Sequence, residues 1–287
     1  MSKELDFLSQ HGAQALKDAA SLGNRNGGGN FANDNIWFDW GKKEEHTIRI
    51  VGDFIITRSH WIGESKYSSV TLLDAAAFKG ENKLPMSVAC GNWDSSTESV
   101  DPDGDACPIC VLGAKADKML QLHGKELQDA DKEVLKAIRK QCTPKCQYLF
   151  KVIDRDNPYL DEDKTRKGYK ILRAPEKLLE AITQLSKSMK GIGISSPDEG
   201  IDIVIKKVVS DKKKSDVTYT ALAVMDGMTV RQTPLTEEER NYHDIDLHKF
   251  AGKPIDKERF EEFLTDDNNI RTIYESDIDE SGNEAPF

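Results

Sequence analysis

Apolar, β-branched stretches alternate with polar, turn-forming ones along this chain, and that pattern predicts strands. The clearest are Thr47–Thr57 (TIRIVGDFIIT) and Gln147–Asp154 (QYLFKVID), both rich in β-branched and aromatic residues. Ser59–Ile62, Ser68–Leu73 and Gly168–Leu172 predict further short strands. Gly200–Ser210 and Asp216–Met225 predict two more, joined by a basic hairpin tip at Lys212–Lys214. Helical spacing replaces that pattern at Leu5–Leu22, at Val111–Arg139 and at Pro175–Ser188, where a proline sits in the first turn. Another helical stretch begins at Thr236, with Glu237–Glu239 after it. Val88–Asp105 is polar and rich in turn formers, which predicts a loop. Gly23–Asn35, with three consecutive glycines at 27–29, predicts a flexible linker.

Many short strands, interrupting helices and no alternating βαβ period predict a mainly β, α+β fold, built as a small barrel. The expected organisation is an arm and linker over residues 1–35 and a core over 36–250. A cysteine-bearing subdomain lies inside that core, at about 60–146. Residues 251–287 are expected to form an acidic, largely disordered tail.

Charge sharpens this picture. The chain of 287 residues has a net charge of −10, which by itself argues against a nucleic-acid partner. Of its 50 acidic and 40 basic residues, seven carboxylates and one cation lie between Thr265 and Phe287, leaving 43 against 39 in the rest. The body is therefore close to neutral, with room for a basic face. No apolar run approaches the length of a membrane span, and Met1–Asp6 lacks a signal-peptide pattern. A cytosolic setting with reduced thiols is expected.

All five cysteines fall between Cys90 and Cys146. Cys107-Pro108-Ile109-Cys110 is half of a tetrahedral zinc site, because two thiolates at this spacing can bind one ion. A redox reading of the same pair needs a thioredoxin-like βαβ context, which is missing. Two further ligands are required. Cys142 and Cys146 offer one pair and His60 with Cys90 the other; spacing alone favours the cysteines. Either set closes the coordination sphere, so the ion has a structural role and not a catalytic one.

The stretch Cys90–Ile182 resembles the single-stranded-DNA-binding (helix-destabilising) proteins of T-even phages. The resemblance rests on Cys90, Asp105-Ala106-Cys107-Pro108-Ile109-Cys110, a helical insertion, the strand Tyr148–Asp154 with its charged turn, and Gly168–Leu172 followed by a helix. Trp37–Ile50 resembles the first strand of such proteins. The resemblance implies an OB-fold core and zinc held in the order H…C…C-x-x-C, which His60, Cys90, Cys107 and Cys110 meet. It implies sequence-independent binding of single-stranded DNA in phage replication, recombination and repair, in the infected bacterial cell. It also implies self-association through the N-terminal arm and recruitment of replication proteins by the acidic tail. The tip Glu284-Ala285-Pro286-Phe287 is similar to the tail end of bacterial single-strand-binding proteins, and Asp277, Asp279 and Glu280 extend its charge.

Sequence-tolerant binding requires cations along the phosphates and aromatic faces for the bases. Three segments interleave them: Lys145, Tyr148, Phe150, Lys151 and Arg155; Arg166, Lys167, Tyr169, Lys170 and Arg173; and Arg58, Trp61, Lys66 and Tyr67. Lys206 and Lys207 extend the set. Seven carboxylates on a tether could compete with DNA for such a groove. No phosphate-binding loop, H-E-x-x-H or G-x-S-x-G occurs, so no enzyme is expected. The rival reading is a zinc-stapled adaptor that binds no DNA.

Overall fold

The computed structural model describes residues 36–63, 69–79, 83–100, 107–189, 192–210 and 217–276. The expected arm and linker, Lys66, Tyr67, the Lys212–Lys214 tip and the tail residues Asp277, Asp279, Glu280, Glu284, Pro286 and Phe287 lie outside them. In chain order the strands are β1 (Glu45–Trp61), β2 (Ser87–Ala89), β3 (Trp93–Asp94), β4 (Ser99–Val100), β5 (Lys145–Asp154), β6 (Lys170–Ala174), β7 (Asp202–Val209), β8 (Val217–Ala223), β9 (Met225–Asp226) and β10 (Thr229–Val230). The helices are α1 (Pro108–His123), α2 (Asp129–Cys142), α3 (Glu176–Ser188), α4 (Glu237–Arg240), α5 (Lys257–Phe263) and α6 (Ile270–Glu275).

The chain forms two compact units. One comprises residues up to Ile55 together with Tyr148–Leu247; the other comprises Ile56–Gln147 together with residues from His248 onward. In the first unit the strand order is β6-β5-β1-β7-β8. β5 and β6, β1 and β7, and β7 and β8 pair antiparallel. Ile48, Ile50, Phe150, Val152, Leu172, Ile203 and Ile205 share one core face. α3 covers that face with Leu178, Ile182 and Leu185, its i, i+4, i+7 stripe. The path ends at β6 and β8, so among the described residues the sheet is open and the expected closed barrel is not formed. The fold is mixed α and β with antiparallel sheets.

The second unit packs α1 and α2 with Ile62, Val70, Leu72, Leu73, Ala77, Val88 and Cys90 and with α5 and α6. Ile109, Leu112 and Ala116 of α1 meet Leu135, Ile138 and Cys142 of α2. The helices approach closely at Gly113, where an added Cβ would stand 2.7 Å from the Cys142 Cβ.

Four expectations change. Thr47–Thr57 and Ser59–Ile62 form one 17-residue strand, because the polar Arg58 continues the pairing, its carbonyl accepting from the Cys90 amide. Within that strand Gly52 takes a positive φ of 71°; residues 48–51 before it are buried on both faces, whereas after it burial falls on Ile55, Thr57 and His60. The single helix expected over Val111–Arg139 is two helices, interrupted after His123 at Gly124. Residues 69–73 form no ladder strand; Leu72 and Leu73 are buried against the segment at Leu264–Thr265 instead. The stretch 251–276, expected to be disordered, carries α5 and α6, with Phe260, Ile270, Ile273 and Tyr274 buried. Its apolar residues recur at helical spacing, and the carboxylates between them hid that pattern in the composition.

Candidate metal centre

His60, Cys90, Cys107 and Cys110 converge in the second unit, each offering one ligand atom within 4.8 Å of the others. Pairing of β1 with β2 sets His60 opposite Val88, two residues before Cys90. The Cys90 amide donates to the Arg58 carbonyl at 2.9 Å, locking the knuckle to β1. Cys107 caps α1, with Pro108 in the first turn, and its own amide donates to Asn92 Oδ1 at 2.7 Å. Cys110 follows one helical turn later, so a single helix start presents two sulfurs to one point.

The distances suit one tetrahedral ion. Cys90 Sγ and Cys110 Sγ are 3.6 Å apart, and His60 Nε2 is 3.5 Å from both Cys107 Sγ and Cys110 Sγ. Zinc bonds of about 2.3 Å to sulfur and 2.0–2.1 Å to nitrogen give tetrahedral edges of about 3.8 Å (S–S) and about 3.6 Å (S–N). His60, Cys90 and Cys107 are buried. Burial opposes a charge on His60, but hydrogen bonds with Cys107 and Cys90 outweigh it and push the imidazole up to about 9. Bonds with Cys110 and Cys90 hold the Cys107 thiol far below its ordinary range. The same contacts push the Cys110 thiol up, so without an ion the cluster shares its protons unevenly, and a metal would have to displace those on Cys110 and His60 to bind.

Cys142 and Cys146 are not in this cluster. Cys142 is buried in the core against Gly113, and that burial pushes its thiol pKa up, the character of an inert core residue. The two ligands that join Cys107 and Cys110 in the cluster are therefore His60 and Cys90, not Cys142 and Cys146, the pair that spacing favoured.

The expected DNA contacts divide. Phe150 is in the core of the first unit, packed on Phe54 at 4.9 Å. Tyr169 is buried and donates its hydroxyl to the Glu239 carbonyl at 2.7 Å. Lys170 is buried 3.6 Å from Asp154. Arg155 pairs with Asp202 at 3.0 Å and with Glu239. Interior partners engage these four, which the interleaving of cations and aromatics had offered to DNA. Lys151 pairs with Asp244 at 2.5 Å and lies over the Tyr169 ring; Lys167 pairs with Glu238.

Other candidates remain toward solvent. Arg173 is exposed and stacks over Trp37 at 4.6 Å. Lys207 lies over Trp40, which neighbours Tyr219. Tyr148 is half-buried against Phe54. Lys145, Arg166, Lys206 and Trp61 are exposed. In the second unit Arg58 stacks over Trp93 at 4.3 Å. Trp93 was not singled out in the sequence. Its position three residues after a ligand cysteine was the available signal, and its ring nitrogen donates to the Ile56 carbonyl.

Among the described residues no helix is long and apolar enough to cross a membrane. No protein-family model matches the chain, and no curated protein matches it.

Proposed function

We propose that this protein binds single-stranded DNA without sequence preference, on a core related to the OB-fold and stapled by one structural zinc ion. The observation that carries the reading is the His60, Cys90, Cys107 and Cys110 tetrad. It has the ligand order of the T-even single-stranded-DNA-binding proteins and edges that suit tetrahedral zinc. Three thiolates and one imidazole select a borderline-soft ion and leave no open position for water. The ion ties the end of β1, the segment after β2 and the start of α1 together.

The cation-over-aromatic pairs Arg173–Trp37, Lys207–Trp40 and Arg58–Trp93 supply the chemistry that such binding uses, charge for phosphate and π-faces for bases. The test is fluorescence anisotropy with labelled oligo-dT and a duplex of equal length over a salt series. Tight, salt-sensitive binding to the single strand and weak binding to the duplex is expected, and Lys207→Ala and Arg173→Ala together should weaken it by about tenfold or more. Removing residues 277–287 should tighten binding at low salt if that acidic segment competes with DNA. The truncation should not extend into α6, which belongs to the core of the second unit.

A second reading, a zinc-stapled adaptor, is favoured by the inward engagement of Arg155, Tyr169 and Lys170. Absence of oligo-dT binding at low salt, by the full chain and by the truncated one, selects it.

A further inference from the structure

In the first unit a second group of ligating side chains is built around His46. Its ring is buried, held edge-on by Phe38 at 5.0 Å and Trp40 at 5.5 Å. Nε2 lies 2.9 Å from the Trp40 carbonyl. A carbonyl can only accept, so Nε2 carries the proton and the lone pair of the neutral ring sits on Nδ1. That atom is buried and has no hydrogen-bond partner. It faces the Asp156 carboxylate, with Oδ2 at 3.8 Å. Asp156 reaches solvent but Nδ1 does not, so the Nδ1 lone pair is left facing an acceptor unless a positive species lies between them. Asp154 adds a third donor, and the ligand atoms of His46, Asp154 and Asp156 all lie within 4.8 Å of one another.

We propose that His46 Nδ1, Asp154 and Asp156 form a second cation site, selective for a divalent ion of the Mn2+, Co2+ or Zn2+ class. One imidazole and two carboxylates suit these ions, in contrast to the sulfur-rich tetrad of the other unit. The Nε2–H bond to a backbone carbonyl is the outer contact that orients a ligating histidine. Three protein ligands leave positions for water, so the site is open. Two lysines limit its affinity. Lys170, buried, stands 3.6 Å from Asp154 Oδ2 and stays in place. Lys43 stands 3.6 Å from Asp156 Oδ2 but is 65% exposed and can be displaced into solvent. The competing occupant of the same gap is a proton on His46.

The experiment uses full-length protein with the His60 tetrad saturated by zinc. It is titrated with Mn2+ above pH 7, read by electron paramagnetic resonance and calorimetry. One further equivalent is expected. Asp156→Asn, a change at a partly exposed position that preserves the fold, should weaken it by about tenfold or more. Asp198→Asn, on an exposed carboxylate elsewhere, should leave it unchanged. His46→Gln should abolish it, and Asp156→Asn keeps the test readable if that variant does not fold. The proposal is overturned if no Mn2+ binds, if Asp156→Asn binds it undiminished, or if nitrogen NMR finds both His46 ring nitrogens protonated in the presence of Mn2+. It stands or falls independently of DNA binding.

Discussion

Arg49 is wholly buried on β1, and its guanidinium is spent on main-chain carbonyls. It donates to Ile50 and Thr233 at 3.1 Å, to Ile194 at 2.5 Å, to Ile201 at 3.4 Å and to Ser196. Burial lowers its pKa, and Asp202 partly offsets that. Ile50 lies in β1, but Ile194, Ser196, Ile201 and Thr233 lie outside the named strands, and each acceptor would cost about 1–3 kcal/mol if left bare. Arg49→Met is therefore expected to destabilise the first unit by about 3–5 kcal/mol, measured by urea unfolding. Gly200→Ala should do comparable harm for a steric reason, since its Cβ would stand 2.0–2.4 Å from the same guanidinium.

Glu239 gives a pH-dependent counterpart. Burial raises its pKa, but hydrogen bonds from Thr236 and Arg155 outweigh this and hold it below the ordinary glutamate value. A depressed carboxylate stabilises the fold above its unfolded pKa, and that contribution is lost as pH falls through the folded one. The melting temperature of Glu239→Gln should therefore trail the wild type at pH 7, and the gap should narrow toward pH 3.

At the level of elements, β5, α3, β7 and β8 lie close to where periodicity put them. Their stripes, such as Leu178, Ile182 and Leu185, are local in sequence and face a single core. Periodicity misled where a partner distant in sequence decided the outcome. Leu72 and Leu73 read as a strand but meet Leu264 and Thr265. Phe260 and Ile270 read as part of an acidic tail but complete the core around α1 and α2. The metal tetrad shows the same limit. The Cys107 and Cys110 pair is visible in its spacing, whereas His60 and Cys90 meet through the β1–β2 register, which spacing cannot report. Family resemblance supplied that pair; spacing favoured Cys142 and Cys146. The geometry makes the difference measurable by metal analysis. If the proposed zinc binds there, Cys107→Ser and Cys90→Ser should lose it, whereas Cys142→Ala should keep it and cost about 1 kcal/mol of packing.

For the molecule as a whole, the two units predict two stabilities. On the proposed zinc reading, a chelator should speed amide exchange in α1, α2, α5 and α6, while α3 and β7 of the other unit stay protected. Loss of protection in both units together would show that the metal governs a single cooperative fold. The division of the chain between the units has a further consequence, for the order in which a ribosome could complete them. Everything that the first unit needs has been synthesised by Leu247. The second unit has its four ligand residues by Cys110, but its core waits for Phe260, Leu264, Ile270, Ile273 and Tyr274. A growing chain thus passes through a stage in which the metal tetrad can close while the apolar faces of α1 and α2 are still uncovered. During that interval an ion bound at the tetrad, rather than the core, is what could hold the unit together.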